Sequence, residues 1–129
     1  MKFVKLEIRE VRLPFRFSFK HSLADRKEGQ GLILALTTDT GVVGYGEALP
    51  RDYLTGETVE SAWTDLCDRW WPALRGREWS PTAPPWELLY EIYRAADRER
   101  RTAGYAGLDI AAADAWARVA DIPGRRLLG

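Results

Sequence analysis

The chain predicts an α+β domain, a three-stranded antiparallel β-meander followed by three helices. Three observations point to it. Residues 3–48 hold an alternating run and two apolar runs of strand length, with Asp39-Thr40-Gly41 as a turn between the last two. From Val59 onward the apolar period becomes that of a helix. Pro72, Pro84 and Pro85 then divide the helical part. A chain of 129 residues is long enough for one real core.

The elements follow in order. In "FVKLEIREVRL" (3–13), Val4, Leu6, Ile8, Val11 and Leu13 are apolar, whereas Lys5, Glu7, Arg9 and Arg12 are polar. This is a half-buried strand, and the shift of phase near Glu10 predicts a bulge. Pro14 should end it. Residues 15–30 have no clean period and read as a mobile loop. "GLILALTT" (31–38) is the second strand and "VVGYGEA" (42–48) returns as the third.

Val59, Ala62, Trp63, Leu66, Cys67 and Trp70 then mark one face of a first helix, which Pro72 should stop. "RGREWSPTAPP" (75–85) reads as a linker. Pro84 and Pro85 suit the first turn of a second helix with Trp86, Leu89, Tyr93 and Ala96 on one face. A third helix spans about Thr102 to Ala120. Its many alanines, with Gly104 and Gly107, predict close packing rather than a thick core of its own, and Asp114 and Arg118 form an i, i+4 pair. Leu127 and Leu128 have no evident partner.

Composition removes several function classes. Lys+Arg and Asp+Glu balance at 19 each, which argues against a nucleic-acid partner. No apolar run reaches the ~20 residues of a membrane span. The N-terminus is charged throughout and is no signal peptide. The single cysteine, Cys67, can form no internal disulfide, so a reducing compartment such as the cytoplasm is expected. It falls on the apolar stripe and reads as an inert core thiol. Six tryptophans imply large rings in the core or a docking surface.

No complete catalytic set is present. "GYGE" (44–47) lies inside a strand, so it is not a dinucleotide fingerprint. Tyr45 and Glu47 share one face of that strand and Gly44 and Gly46 the other, so a neighbour should pack over the glycines. Glu47 then anchors the following loop. His21, the sole histidine, stands beside Lys20, Ser22, Asp25 and Arg26, with neither an oxyanion hole nor a nucleophile turn. Its loop either contacts a ligand or is simply solvated. Metal ligands are lacking too: Asp109 and Asp114 lie about 140° apart on a helix. "PRDYLTGET" (50–58) offers a cation, an acid, a ring and backbone N–H groups. It reads equally as a capped helix start and as a lip whose Arg51 and Tyr53 touch a ligand.

Four stretches in register resemble the N-terminal capping domain of the enolase superfamily, in its mandelate racemase/muconate lactonizing enzyme group. "LPFRFSFKHSLADR" resembles the loop after the first strand, with Arg26 ahead of the second. "LILALTTDTGVVGYGEALP" is similar to the hairpin ending in Gly-aromatic-Gly-Glu. "YLTGET" matches the entry to the first helix. "AGLDIAAADAWARVADIPGRRLLG" is similar to the helix that precedes the barrel. Here, however, Ala112-Ala113 replaces the family's Leu-Trp before Asp114, and the tryptophan stands at Trp116.

The resemblance implies a division of labour. Residues 1–101 would form the cap (βββαα), and 102–129 the third helix and the lead-in to a (β/α) barrel beginning after Gly129. In such enzymes the barrel carries the bases and the Mg²⁺ ligands for abstracting a proton α to a carboxylate. No catalytic or metal residue is therefore expected in this chain, and alone it should be inactive. The segments 19–26 and 50–57 would close over the barrel mouth and select the substrate. The loops look most like the muconate lactonizing subgroup, which includes dipeptide epimerases, o-succinylbenzoate synthases and cycloisomerases, and they lean to a dipeptide epimerase. Arg26, Arg51 and Asp52 would then read charge on a small carboxylate or dipeptide, with His21 and Tyr53 packing on it. The expected partners are the barrel, the substrate and further copies in a homo-oligomer. A stand-alone, non-catalytic binding module of the same fold is the competing reading.

Overall fold

The structure, a computed structural model, describes residues 1–21, 24–96 and 101–127, with backbone only at 18–21 and 24–26. Strands β1 (Phe3–His21), β2 (Ala24–Thr38) and β3 (Val43–Ala48) form an antiparallel sheet in the order β1-β2-β3. The meander expected from the alternation is therefore present. Its first two strands are much longer than expected. Where a mobile loop was read at 15–30, the chain continues as a paired arm, with Phe19 opposite Arg26 and His21 opposite Ala24.

Pro14 does not end β1. It pairs with Glu28 on an edge strand, where its missing N–H costs no ladder bond on the outer side. The register is unbroken from Lys5 to Pro14, so there is no bulge at Glu10; the irregularities fall between Phe3 and Lys5 and between Pro14 and Phe19. The first of these swaps the inward residue. Phe3 is fully buried, and Val4 is 46% exposed.

Among the described residues five α-helices follow: α1 (Asp52–Thr55), α2 (Val59–Asp65), α3 (Trp71–Leu74), α4 (Trp86–Ala95) and α5 (Ala103–Val119). The expected first helix is α2 and α3 joined by a π-turn over Leu66–Trp70. That turn explains why Pro72 fails to stop it. A proline clashes with the carbonyl four residues earlier; the widened turn, in which the Trp71 N–H reaches back to the Leu66 carbonyl, relieves the crowding. The π-turn also narrows the apolar stripe to Ala62, Leu66, Trp70 and Leu74. Cys67, expected in the core, is rotated to the surface. On α4 the buried face is Leu88, Leu89 and Ile92 rather than Trp86 and Tyr93, which are exposed.

The stretch 75–85 is tied down. The Trp79 N–H donates to the Met1 carbonyl (2.9 Å), and the Trp79 ring stacks on Phe3 at 5.2 Å. Burying a ring of this kind stabilises by about 3 kcal/mol.

Helix α5 lies across the sheet, as its small residues predict. A Cβ on Gly44 would collide with the α5 backbone at Ala111 and Ala115, and one on Gly46 would collide with the Gly107 carbonyl. The carboxylate of Asp114 accepts from the Tyr45 N–H (2.9 Å) and from Arg118 Nε (2.9 Å), which adds a side-chain clasp. A second clasp, between Arg101 Nη2 and buried Asp65 Oδ1 at 3.1 Å, joins α2 to the approach to α5. Leu127, expected to lack a partner, packs partly against the core, while Leu128 lies outside the described residues. The outer face of α5 exposes Ala106 and Ile110.

Two groups on α5 titrate abnormally. The Tyr105 hydroxyl donates to the Leu89 carbonyl (3.1 Å); burial, then the charge of Asp109 and the nearby Tyr93, push the phenol up to about 12. Burial also raises the Asp109 carboxyl above its usual range.

Two predictions follow from this packing. Gly46→Ala forces the sheet off α5 and costs about 3 kcal/mol in urea denaturation. Gly124→Ala, where no atom lies within 4 Å of the added Cβ, stays within about 0.5 kcal/mol of wild type. For Asp109, a raised folded-state pKa means that the folded chain holds the proton more tightly. That stability is complete below the unfolded pKa and is lost as pH rises through the folded one. Asp109→Asn therefore raises the melting temperature near pH 7 and changes it little near pH 3, where both states are protonated.

Candidate functional site

The meander sends both candidate segments to one end of the sheet. Strand β3 finishes at Ala48, opposite Leu32 of β2. Beyond that point only β1 and β2 continue, as the paired arm. The 50–57 lip therefore sits at the base of the arm, and His21 and Arg26 sit toward its tip. Along the strand, Arg26 is about 13 Å from Gln30, four residues at roughly 3.3 Å each. The side chains of His21 and Arg26 lie outside the described residues, so of the five expected site residues the structure places three in full.

Arg51 is half-buried, and its Nη1 donates to the Gln30 carbonyl (3.1 Å) and the Pro50 carbonyl (2.8 Å). Both donors on that nitrogen are thus used to bind the lip to β2. Asp52 begins α1, is exposed, and its Oδ1 accepts from the Tyr53 N–H (2.8 Å), an ordinary local use of an acid at a helix start. Tyr53 is half-buried beside it. The turn ends at Gly56, whose φ of 75° is left-handed and suits glycine; its N–H donates to the Asp52 carbonyl.

The stretch also holds a helix cap. That cap is Thr58, which exchanges bonds with Ser61 (2.9 and 3.0 Å) to open α2. The lip and the capped helix start are therefore neighbours rather than alternatives.

The carboxylate that anchors this loop is also not the expected one. Glu47 is exposed on β3. Glu57, only 3% exposed, accepts from Thr55 Oγ1 and from the Ala103 N–H, each at 2.8 Å. Its position directly before the Thr58 cap was the one sequence signal for it. The partner, Ala103, is too distant in sequence for local patterns to reveal.

Among the described residues no three His, Cys, Asp or Glu side chains come together as a metal site. Nor is any helix among them long and apolar enough to cross a membrane.

Comparison with known proteins places this geometry. The solved structure of L-Ala-D/L-Glu epimerase from Bacillus subtilis, in a substrate-liganded complex, superposes with a TM-score of 0.87 at 27% identity, covering 100% of this chain and 34% of that one. Dipeptide epimerase from Enterococcus faecalis V583, solved with Mg and the dipeptide L-Leu-L-Tyr, gives a TM-score of 0.84 at 26% identity, covering 100% and 35%. A hydrophobic dipeptide epimerase of Citrifermentans bemidjiense is 35% identical over 117 residues, 91% of this chain and 30% of its own length. The chain thus spans about a third of the length of the relatives it matches, 34% for the B. subtilis epimerase. Residues 3–129 match the N-terminal domain of the mandelate racemase / muconate lactonizing enzyme family, and the chain belongs to that family.

Proposed function

We propose that this chain is the substrate-specificity cap of an enolase-superfamily enzyme that removes a proton α to a carboxylate with the help of Mg²⁺. Residues 1–101 are the cap and 102–129 its third helix and the lead-in to a (β/α) barrel. Bases and metal ligands belong to that barrel, so the chain by itself is inactive. The observation that carries this reading is the full-length match to epimerases at about a third of their length, with the lip and the arm at one end of the sheet.

Within that group, a dipeptide epimerase of the cytoplasm is the assignment we favour. The three relatives named above are epimerases, and one was solved with Mg and a dipeptide. Arg51, Asp52 and Tyr53 form the lip at the base of the arm, and Arg26 and His21 belong to its far end. Arg51 holds its own turn through Nη1, and the opposite edge of its guanidinium reads a carboxylate of the substrate. The cap itself supplies placement and exclusion of water, which strengthens every charge contact at the reacting centre.

In the full-length enzyme, Arg51→Ala raises KM for a dipeptide by about tenfold or more while Mg²⁺ affinity stays unchanged. Steady-state kinetics and metal titration check this, and unaltered KM removes Arg51 from the site. Residues 1–129 alone, with Mg²⁺ and a dipeptide, exchange no α-proton in deuterated water. Without a barrel against it, the exposed face around Ile110 drives association, so light scattering of the isolated chain at high concentration shows more than a monomer.

A further inference from the structure

We propose that Glu57 is the positioning residue of the lip, fixing the 51–56 turn to the N-terminus of α5 and so setting where Arg51, Asp52 and Tyr53 stand when substrate is captured. The inference rests on the capping role proposed above.

The two oxygens of Glu57 face different elements. Oε2 accepts from Thr55 Oγ1, at the last residue of α1, and Oε1 accepts from the N–H of Ala103, the first residue of α5. Helix starts leave N–H groups without intrahelical partners and favour a negative charge nearby. Thr102, which precedes α5, makes no side-chain cap bond. Glu57 thus supplies from 46 residues away what a capping side chain would supply locally.

The Thr55 hydroxyl has one proton. It is 3.3 Å from the Arg51 carbonyl and 2.8 Å from the carboxylate, so the shorter, charge-assisted bond takes it. Burying a carboxylate is costly unless it is well bonded, and the two donors together with the helix end supply that compensation.

The turn is therefore held at two points. Arg51 binds one side to β2 through the Gln30 carbonyl, and Glu57 binds the other to α5. Helix α5 is itself seated on the β3 glycines, so the lip takes its position from the most closely packed part of the domain. A binding group needs that kind of support to hold its geometry.

The test compares Glu57→Ala and Glu57→Gln in the full-length protein, by steady-state kinetics with a dipeptide and Mg²⁺ and by hydrogen exchange. The alanine variant should raise KM about tenfold with kcat within about twofold. The glutamine variant should stay near wild type, because its amide still accepts from Ala103 and can donate to the Thr55 hydroxyl. A role in folding alone would lower kcat per mole of protein and leave KM unmoved. In the alanine variant the amides of Leu54, Thr55 and Gly56 should also exchange about tenfold faster, with those of β3 unchanged.

Where the alanine variant fails to fold, Thr55→Val removes only the lip side of the contact and should likewise raise KM. Unchanged KM in a folded variant overturns the positioning role, whatever the exchange rates. Exchange needs no substrate. If the full-length protein turns over no dipeptide, the dipeptide-epimerase assignment fails, and unchanged lip exchange in Glu57→Ala then separately overturns the contact proposed here.

Discussion

The domain depends on a backbone-to-backbone contact. Helix α5 rests on β3 at a distance that only glycine permits, with Gly44 and Gly46 below and Gly107 above, where a Cβ would come within 3.0 Å of the Ala48 backbone nitrogen. Close approach of this kind yields many small dispersion contacts and excludes water without large side chains. It also explains the alanine content of α5: Ala111, Ala112 and Ala115 are all fully buried, and larger residues would lift the helix away. The bigger rings, Phe3, Trp70 and Trp79, belong to the same core, with Trp70 beside Tyr105 of α5.

Once α5 is seated, the polar clasps follow. Asp114 holds the Tyr45 N–H, Asp65 holds Arg101, and Glu57 holds the first N–H of the helix. Each ties a different part of the chain to α5 or to the residues that lead into it. The lip is thus the end of a chain of contacts that begins at the glycines, and the paired arm of β1 and β2 is reached through Arg51 and the Gln30 carbonyl. In the proposed role, this division lets a firm base carry residues that face a substrate, while the arm extends beyond it.

Much of the fold was legible in local patterns, and the failures have physical causes. The meander, the Gly44 and Gly46 face and the extent of α5 were read correctly because alternation, absent side chains and alanine density are local signals. The arm at 15–30 was missed because none of its described side chains is fully buried, so no buried face imposes a period there. Phe15 and Phe17 of that stretch are exposed, and strand pairing holds it extended. Cys67 was misplaced because a π-turn shifts helical phase by one residue, which a 3.6-residue period cannot anticipate. In the candidate site, the lip was legible as a group of chemically able residues, but its anchor was assigned to Glu47 rather than Glu57. Both are glutamates near the same loop, and burial and the bonds to Thr55 and Ala103 distinguish Glu57.

The amino-acid sequence by itself determined the order of elements, the need for a close neighbour over the third strand and the residues able to contact a ligand, because each is set by side-chain size, charge and spacing along the chain. The tertiary structure decided which carboxylate is buried, which face of each helix turns inward and where the lip stands. Those depend on partners such as Ala103 and Gln30 that lie far away in sequence, and a donor or acceptor is satisfied by whatever group the fold brings within about 3 Å of it.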